Sequence, residues 1–135
     1  MIRNAARRIT PRIAIEQSLR DVYGRRDRIC PERLQRYYEL LRREGNRDNM
    51  VAMFDTLWRY SRHPTLKDDI AKLSVPTLLM WGERDRWVPV SLVDSWKRDV
   101  DELEAIVYPG VGHVPMEEIP LRTARDARRF LLPDA

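Results

Sequence analysis

The sequence predicts an α/β fold in which a helical first half precedes a short β-α-β-α unit. Two observations lead there. The runs Val75–Trp81 and Glu104–Tyr108 are apolar and β-prone, and each passes through a turn into a helical pattern. Before Ser61, by contrast, apolar residues recur at helical spacing with no strand-like alternation.

A chain of 135 residues is long enough for one domain with a real core and too short for two ordinary ones. At 43% hydrophobic and 34% charged residues it reads as a soluble, strongly charged domain. Its apolar runs fall far below the ~20 residues of a membrane span, so no membrane partner is expected. The opening MIRNAARRIT has no apolar core and no small-residue cleavage site, which argues against a secretory signal. A single cysteine, Cys30, cannot make an internal disulfide and fits a cytoplasmic setting.

The net charge of +4 is unevenly spread. Residues 1–74 carry 17 Lys/Arg against 10 Asp/Glu (+7), and residues 75–135 carry 8 against 11 (−3). The basic residues are interleaved with acids around helices, as on a solvated helical face, so a nucleic-acid partner is not expected. The split suggests a helical region at 1–63, a linker at 64–74 and an α/β region at 75–135.

The elements follow in order. Thr10-Pro11 is a capping side chain followed by proline, a helix start. Ile15, Leu19, Val22 and Tyr23 continue at helical spacing until Gly24. A second helix is expected from Cys30-Pro31, with Cys30 at the cap. Leu34, Tyr37, Tyr38 and Leu41 form its stripe, and Glu32–Arg36 and Glu39–Arg43 form i,i+4 pairs outside. Gly45 ends it, Asn46 can cap the next, and Met50, Met53, Phe54, Leu57 and Trp58 form a third stripe that needs something to cover. His63-Pro64 sits in the following connector, and the polar Ser61–Ser74 leads into the second region.

Val75–Trp81 is nearly continuously apolar, as expected of an internal parallel strand covered on both faces, with Pro76 near its start. Ser91–Val100 is expected as a helix with Leu92, Val93 and Trp96 inward. After the second strand and a glycine-containing loop, Pro120 opens a last helix whose expected buried face is Leu121, Ala124, Ala127 and Leu131. Strand, helix, strand, helix in that order signals a parallel sheet with right-handed crossovers. Two strands are too few to stand alone, so this half looks incomplete.

The chemistry sits just past the two strands. Asp85 follows the first and His113 the second, and in a parallel sheet both loops emerge on one edge, where ligands bind. A histidine works as a general base near neutral pH once a carboxylate orients its ring and stabilises the imidazolium. Gly110 and Gly112 are expected to let the backbone turn tightly around Val111 and aim His113 at the acid. The alternative for His113 is a hydrogen-bonded structural histidine. Glu83 competes with Asp85, which is preferred because Asp suits the end of a turn.

The stretches WGERDRWVP and PGVGHVPMEE resemble the C-terminal end of the α/β-hydrolase fold family. The helices before them, with RYYELLRREGNR, resemble the last part of the helical cap of lid-bearing members such as esterases and meta-cleavage-product hydrolases. The resemblance implies a partial α/β-hydrolase fold: a cap remnant followed by the C-terminal β-α-β-α unit. It implies that Asp85 is the triad acid and His113 the triad base, with Trp87, Val88 and Val114 bordering a substrate pocket. The implied parent activity is nucleophilic hydrolysis of an ester or carbon–carbon bond in a small-molecule substrate, without metal or other cofactor.

The nucleophile is missing from this pattern. The family places it on a G-x-S-x-G elbow, and none of Gly24, Gly45, Gly82, Gly110 and Gly112 frames a serine. The glycine-rich loop that would supply oxyanion-hole N–H groups is also lacking. The expectation is therefore a truncated piece of a hydrolase, inactive alone, self-associating through exposed strand edges. The reading from another class is a helical interaction module whose Arg-rich surface binds protein or nucleic acid. Clustering of Arg25, Arg26, Arg28, Arg33 and Arg36 would favour it.

Overall fold

The computed structural model describes residues 12–62 and 65–133. The helix start at Thr10-Pro11 and the connector His63-Pro64 lie outside the described residues. Among the described residues four α-helices come first: α1 (Arg12–Val22), α2 (Pro31–Arg42), α3 (Asn46–Tyr60) and the short α4 (Thr65–Ile70), with one 3-10 turn, Arg26–Arg28, between α1 and α2. Then follow β1 (Thr77–Gly82), α5 (Leu92–Asp99), β2 (Leu103–Tyr108), the single turn α6 (Pro115–Glu118) and α7 (Pro120–Leu131). The stretch Ser61–Ser74, expected as a plain polar connection, thus contains α4.

The strands pair in parallel, from Thr77 opposite Leu103 to Gly82 opposite Tyr108, with α5 between them in the chain. Pairing continues past the strand ends, because Glu83 N–H donates to Tyr108 O at 3.0 Å and Arg84 N–H to Val111 O at 2.8 Å. Among the described residues the sheet has these two strands. This corrects the expectation of full cover on both faces of β1: Thr77 to Trp81 are only half-buried, since a two-stranded sheet has no outer neighbours.

The main apolar cluster is Ile15, Leu19, Val22 and Tyr23 of α1 and its end, packed against Leu34, Tyr37, Tyr38 and Leu41 of α2. These are the two helical stripes, and each well-buried Leu or Ile stabilises by roughly 1.5–3 kcal/mol. Ile29 and Val114 also pack on this cluster, so the helical half and the loop after β2 share it.

Local details correct several expectations. Cys30 occupies the N-cap position of α2, but its side chain makes no capping hydrogen bond. Gly45, at φ 77°, stands before α3 in the left-handed region, so Asn46 is already helical and its Nδ2 instead donates to Leu40 O of α2 at 2.6 Å. Arg36 does not serve an i,i+4 pair with Glu32; it reaches Glu117 at 2.7 Å, while Glu39 accepts from Gln35. Met53, Phe54, Leu57 and Trp58 on α3 are exposed, Trp58 by 63%.

The last helix turns the other way from expectation. Thr123 and Asp126 are buried, whereas Leu121 is 88% exposed and Ala124 and Leu131 also face solvent. The cause lies in β2. Tyr108 is fully buried, its hydroxyl needs an acceptor, and Asp126 Oδ2 takes that hydrogen bond at 3.0 Å. Burial and then the carboxylate push the Tyr108 phenol up to about 12. On α5, Val93 is buried but Leu92 is exposed, another departure from the expected inward set.

Candidate active site

The candidate site lies where the chain leaves β1 and β2. Because the strands run in register, Gly82 and Tyr108 end side by side, and the turns after them emerge together. Asp85 closes the polar turn after β1, its N–H donating to Gly82 O at 3.2 Å. Its Oδ1 accepts the N–H groups of Trp87 and Val88, both at 2.9 Å, which locks the carboxylate into its own loop. Its Oδ2 is 2.8 Å from His113 Nδ1. The Asp85 side chain is 4% exposed and that of His113 36%.

Facing an ionised carboxylate, which only accepts, Nδ1–H is the donor of this hydrogen bond and Nε2 keeps its lone pair. A histidine held this way can take a proton at Nε2 and can return it.

The competing carboxylate does different work. Glu83 Oε2 accepts the Gly110 N–H at 2.8 Å and so holds the far side of the His113 loop. The expectation for the loop glycines divides in the same way. Gly110, at φ 74°, makes the turn that a Cβ would strain. Gly112 has no such φ; it is needed for close approach, since a Cβ there would lie 2.3 Å from Gly24 N and from Val22 O.

The remaining expected residues differ in their surroundings. The Trp87 ring, half-exposed, has its centroid 5.6 Å from that of His113 with the planes tilted by 35°. Val88 is half-buried, and its carbonyl accepts Trp81 Nε1–H at 3.2 Å. Val114 packs on the α1–α2 cluster and heads α6, its carbonyl accepting the N–H groups of Glu117 and Glu118.

Glu117 and Glu118 were missed as structural anchors. Glu117 receives the Tyr23 hydroxyl, the Tyr37 hydroxyl at 3.0 Å and Arg36 at 2.7 Å. Both phenols are raised above their ordinary range, first by burial and then by this carboxylate. Glu118, 2% exposed, accepts three backbone N–H groups, from Gly24, Arg25 and Gly112. Two adjacent acids shortly after a glycine-flanked histidine were the available signal. Nothing local told which N–H groups they would meet. Among the described residues no group of three or more His, Cys, Asp or Glu side chains is arranged to hold a metal ion, and no helix is long and apolar enough to cross a membrane.

No protein-family model matches the chain. It is 36% identical over 61 residues to Lipase 3 of Moraxella sp. (strain TA144), a match covering 45% of this chain and 19% of that lipase. Among solved structures, a serine hydrolase involved in carbazole degradation (CarC) superposes with a TM-score of 0.79 at 24% identity, covering 90% of this chain and 47% of that one. The meta-cleavage product hydrolase CumD from Pseudomonas fluorescens IP01 gives 0.80 at 22% identity, covering 97% and 50%. The chain thus spans about a fifth of the curated lipase and about half of the solved structures it matches. Helices before a parallel strand pair, with backbone likeness over nine-tenths of the chain or more, give this protein a partial α/β-hydrolase fold.

Proposed function

We propose that this chain supplies the acid and the histidine of a nucleophile–His–Asp hydrolase whose nucleophile comes from outside these 135 residues. Asp85 orients the imidazole and stabilises its protonated form; His113 takes the nucleophile's proton and later gives it to the leaving group. The observation that carries the reading is the 2.8 Å contact between a buried, loop-locked carboxylate and a part-exposed imidazole at one sheet edge. Trp87, Val88 and Val114 would border the pocket, and the helices before β1 would form the end of a cap over it. The lipase match supports an ester as substrate, and the likeness to CumD keeps a carbon–carbon bond as the alternative. No cofactor is required by this chemistry.

The test is hydrolysis of short-chain p-nitrophenyl esters. The chain alone is expected to show no turnover above buffer. Joined to a partner segment bearing a G-x-S-x-G elbow, it is expected to turn over in a way that His113→Ala abolishes. Turnover by the chain alone that His113→Ala removes would mean that a nucleophile lies within it. Turnover by the joined protein that survives His113→Ala would reject the catalytic role.

The reading as an Arg-rich interaction module draws less support. Arg25 pairs with Asp27, Arg33 donates to Arg28 O and lies over the Tyr23 ring, and Arg36 is held by Glu117. These side chains have intramolecular partners. Self-association through the free edges of the β1–β2 sheet fits the two-stranded arrangement better.

A further inference from the structure

We propose that Glu118 is a positioning residue for His113, its buried carboxylate holding the backbone junction that presents the imidazole to Asp85. The inference rests on reading His113 as the base.

Three backbone segments meet beside the histidine with no side chains between them. A Cβ on Gly24 would come within 2.5 Å of Gly112 N, and one on Gly82 within 1.9 Å of Gly112 O. The end of β1, the His113 loop and the end of α1 are therefore in direct backbone contact. Such contact leaves no room for water, so amide groups there need acceptors from within the protein. Glu118 is that acceptor. Its Oε1 takes the Gly112 N–H at 2.7 Å and the Gly24 N–H at 3.1 Å, and its Oε2 takes the Arg25 N–H at 3.1 Å. Bonds of N–H groups to an ionised carboxylate are roughly twice as strong as neutral ones, which is what lets a carboxylate lie 2% exposed.

The link to His113 is covalent and short. Gly112 is its preceding residue, and His113's own N–H donates to Val22 O at 2.7 Å on the same junction. Glu118 lies at the end of α6, so its bond to Gly112 closes the loop carrying the histidine back on itself. With that bond loosened, the ring is free to drift, and a 2.8 Å contact does not survive a displacement of about 1 Å. Glutamine at this position keeps one acceptor oxygen but turns an NH2 group toward amide donors, so one side of the junction loses its partner.

The experiment is NMR of the full chain, following the His113 Nδ1 proton. In E118Q that proton is expected to exchange with water about tenfold faster or more, the factor that loss of one hydrogen bond to a charged group gives. E117Q, which removes the charge facing Arg36 and one of the two oxygens that accept from Tyr23 and Tyr37 but leaves the Gly112 bond, is expected to leave it unchanged, and E118D to restore part of the protection. An unchanged Nδ1 proton in E118Q, or an equal loss in E117Q, overturns the proposal. Should E118Q not fold, E118A is read by the same criterion; a chain that folds with neither makes Glu118 purely a fold determinant and also overturns it. The readout is the ring and not turnover, so its failure is separate from that of the hydrolase reading, which the ester assay decides.

Discussion

Asp85 and His113 are 28 positions apart in the chain, yet their facing atoms are 2.8 Å apart. The register of β1 on β2 closes that gap, with Gly82 opposite Tyr108 where the two turns begin. The carboxylate is held from both oxygens, one by its own loop and one by the ring.

Replacing Asp85 by asparagine keeps the shape and one oxygen for the Trp87 and Val88 N–H groups, but removes the charge facing Nδ1. The wrong tautomer is then favoured. In a protein completed with its nucleophile, ester hydrolysis is expected to fall by on the order of 10⁴-fold, with little change in melting temperature. A fall below about tenfold would show that Asp85 does not orient the base.

Glycine positions should rank by space and not by φ. Gly112→Ala and Gly82→Ala drive a Cβ into backbone atoms that cannot yield, and each is expected to cost about 3 kcal/mol or more in urea unfolding. Gly45→Ala, with only a side-chain atom at 3.8 Å, meets only the left-handed strain, about 1 kcal/mol. The opposite order would mean that the Gly24–Gly82–Gly112 contact is looser than described.

Stability should fall in strong alkali through the buried phenols. Tyr108 is pushed up to about 12 from an ordinary value of 10, and Tyr23 is raised as well. A raised folded value means that the folded chain keeps its protons where the unfolded chain has lost them. The stabilisation is whole below pH 10 and declines as pH rises from there, by on the order of 1 kcal/mol per pH unit for each phenol. Urea unfolding followed from pH 9 to 11.5 should show this decline, and Tyr108→Phe should make it shallower. That variant also leaves the buried Asp126 without its phenol donor, costing about 1–3 kcal/mol at neutral pH.

The two faces of α7 should respond oppositely to substitution. Leu121→Gln is expected within about 0.5 kcal/mol of the parent, because the side chain is already in solvent. Asp126→Ala is expected to cost about 1–3 kcal/mol by stranding the Tyr108 hydroxyl. A large loss from Leu121→Gln alone, measured at a concentration where the chain is monomeric, would contradict the described orientation of the helix.

Much of the fold was legible because it was local. The α1 and α2 stripes repeat at helical spacing, and both become the main apolar cluster. The two strands were marked by short apolar runs, and α2 and α7 both begin at the prolines that announce them. The α7 face was misread because four apolar side chains at the right spacing outvoted one aspartate. What mattered was a buried tyrosine on another element. Arg36 was misassigned for a similar reason: Glu117 lies 81 positions away in the chain and offers a better site than its helical neighbour.

The sequence by itself determined that this chain alternates strand and helix after a helical half, and that an acid and a histidine follow successive strands. Those are properties of residue type and spacing, which act over a few positions. Only the tertiary structure decided that Glu83 and Glu118 hold the histidine's loop, and that Gly112 is required for contact rather than for turning. Each of these depends on which backbone segments touch. That is set by the register of the two strands and by how the end of α1 packs on the loop after β2.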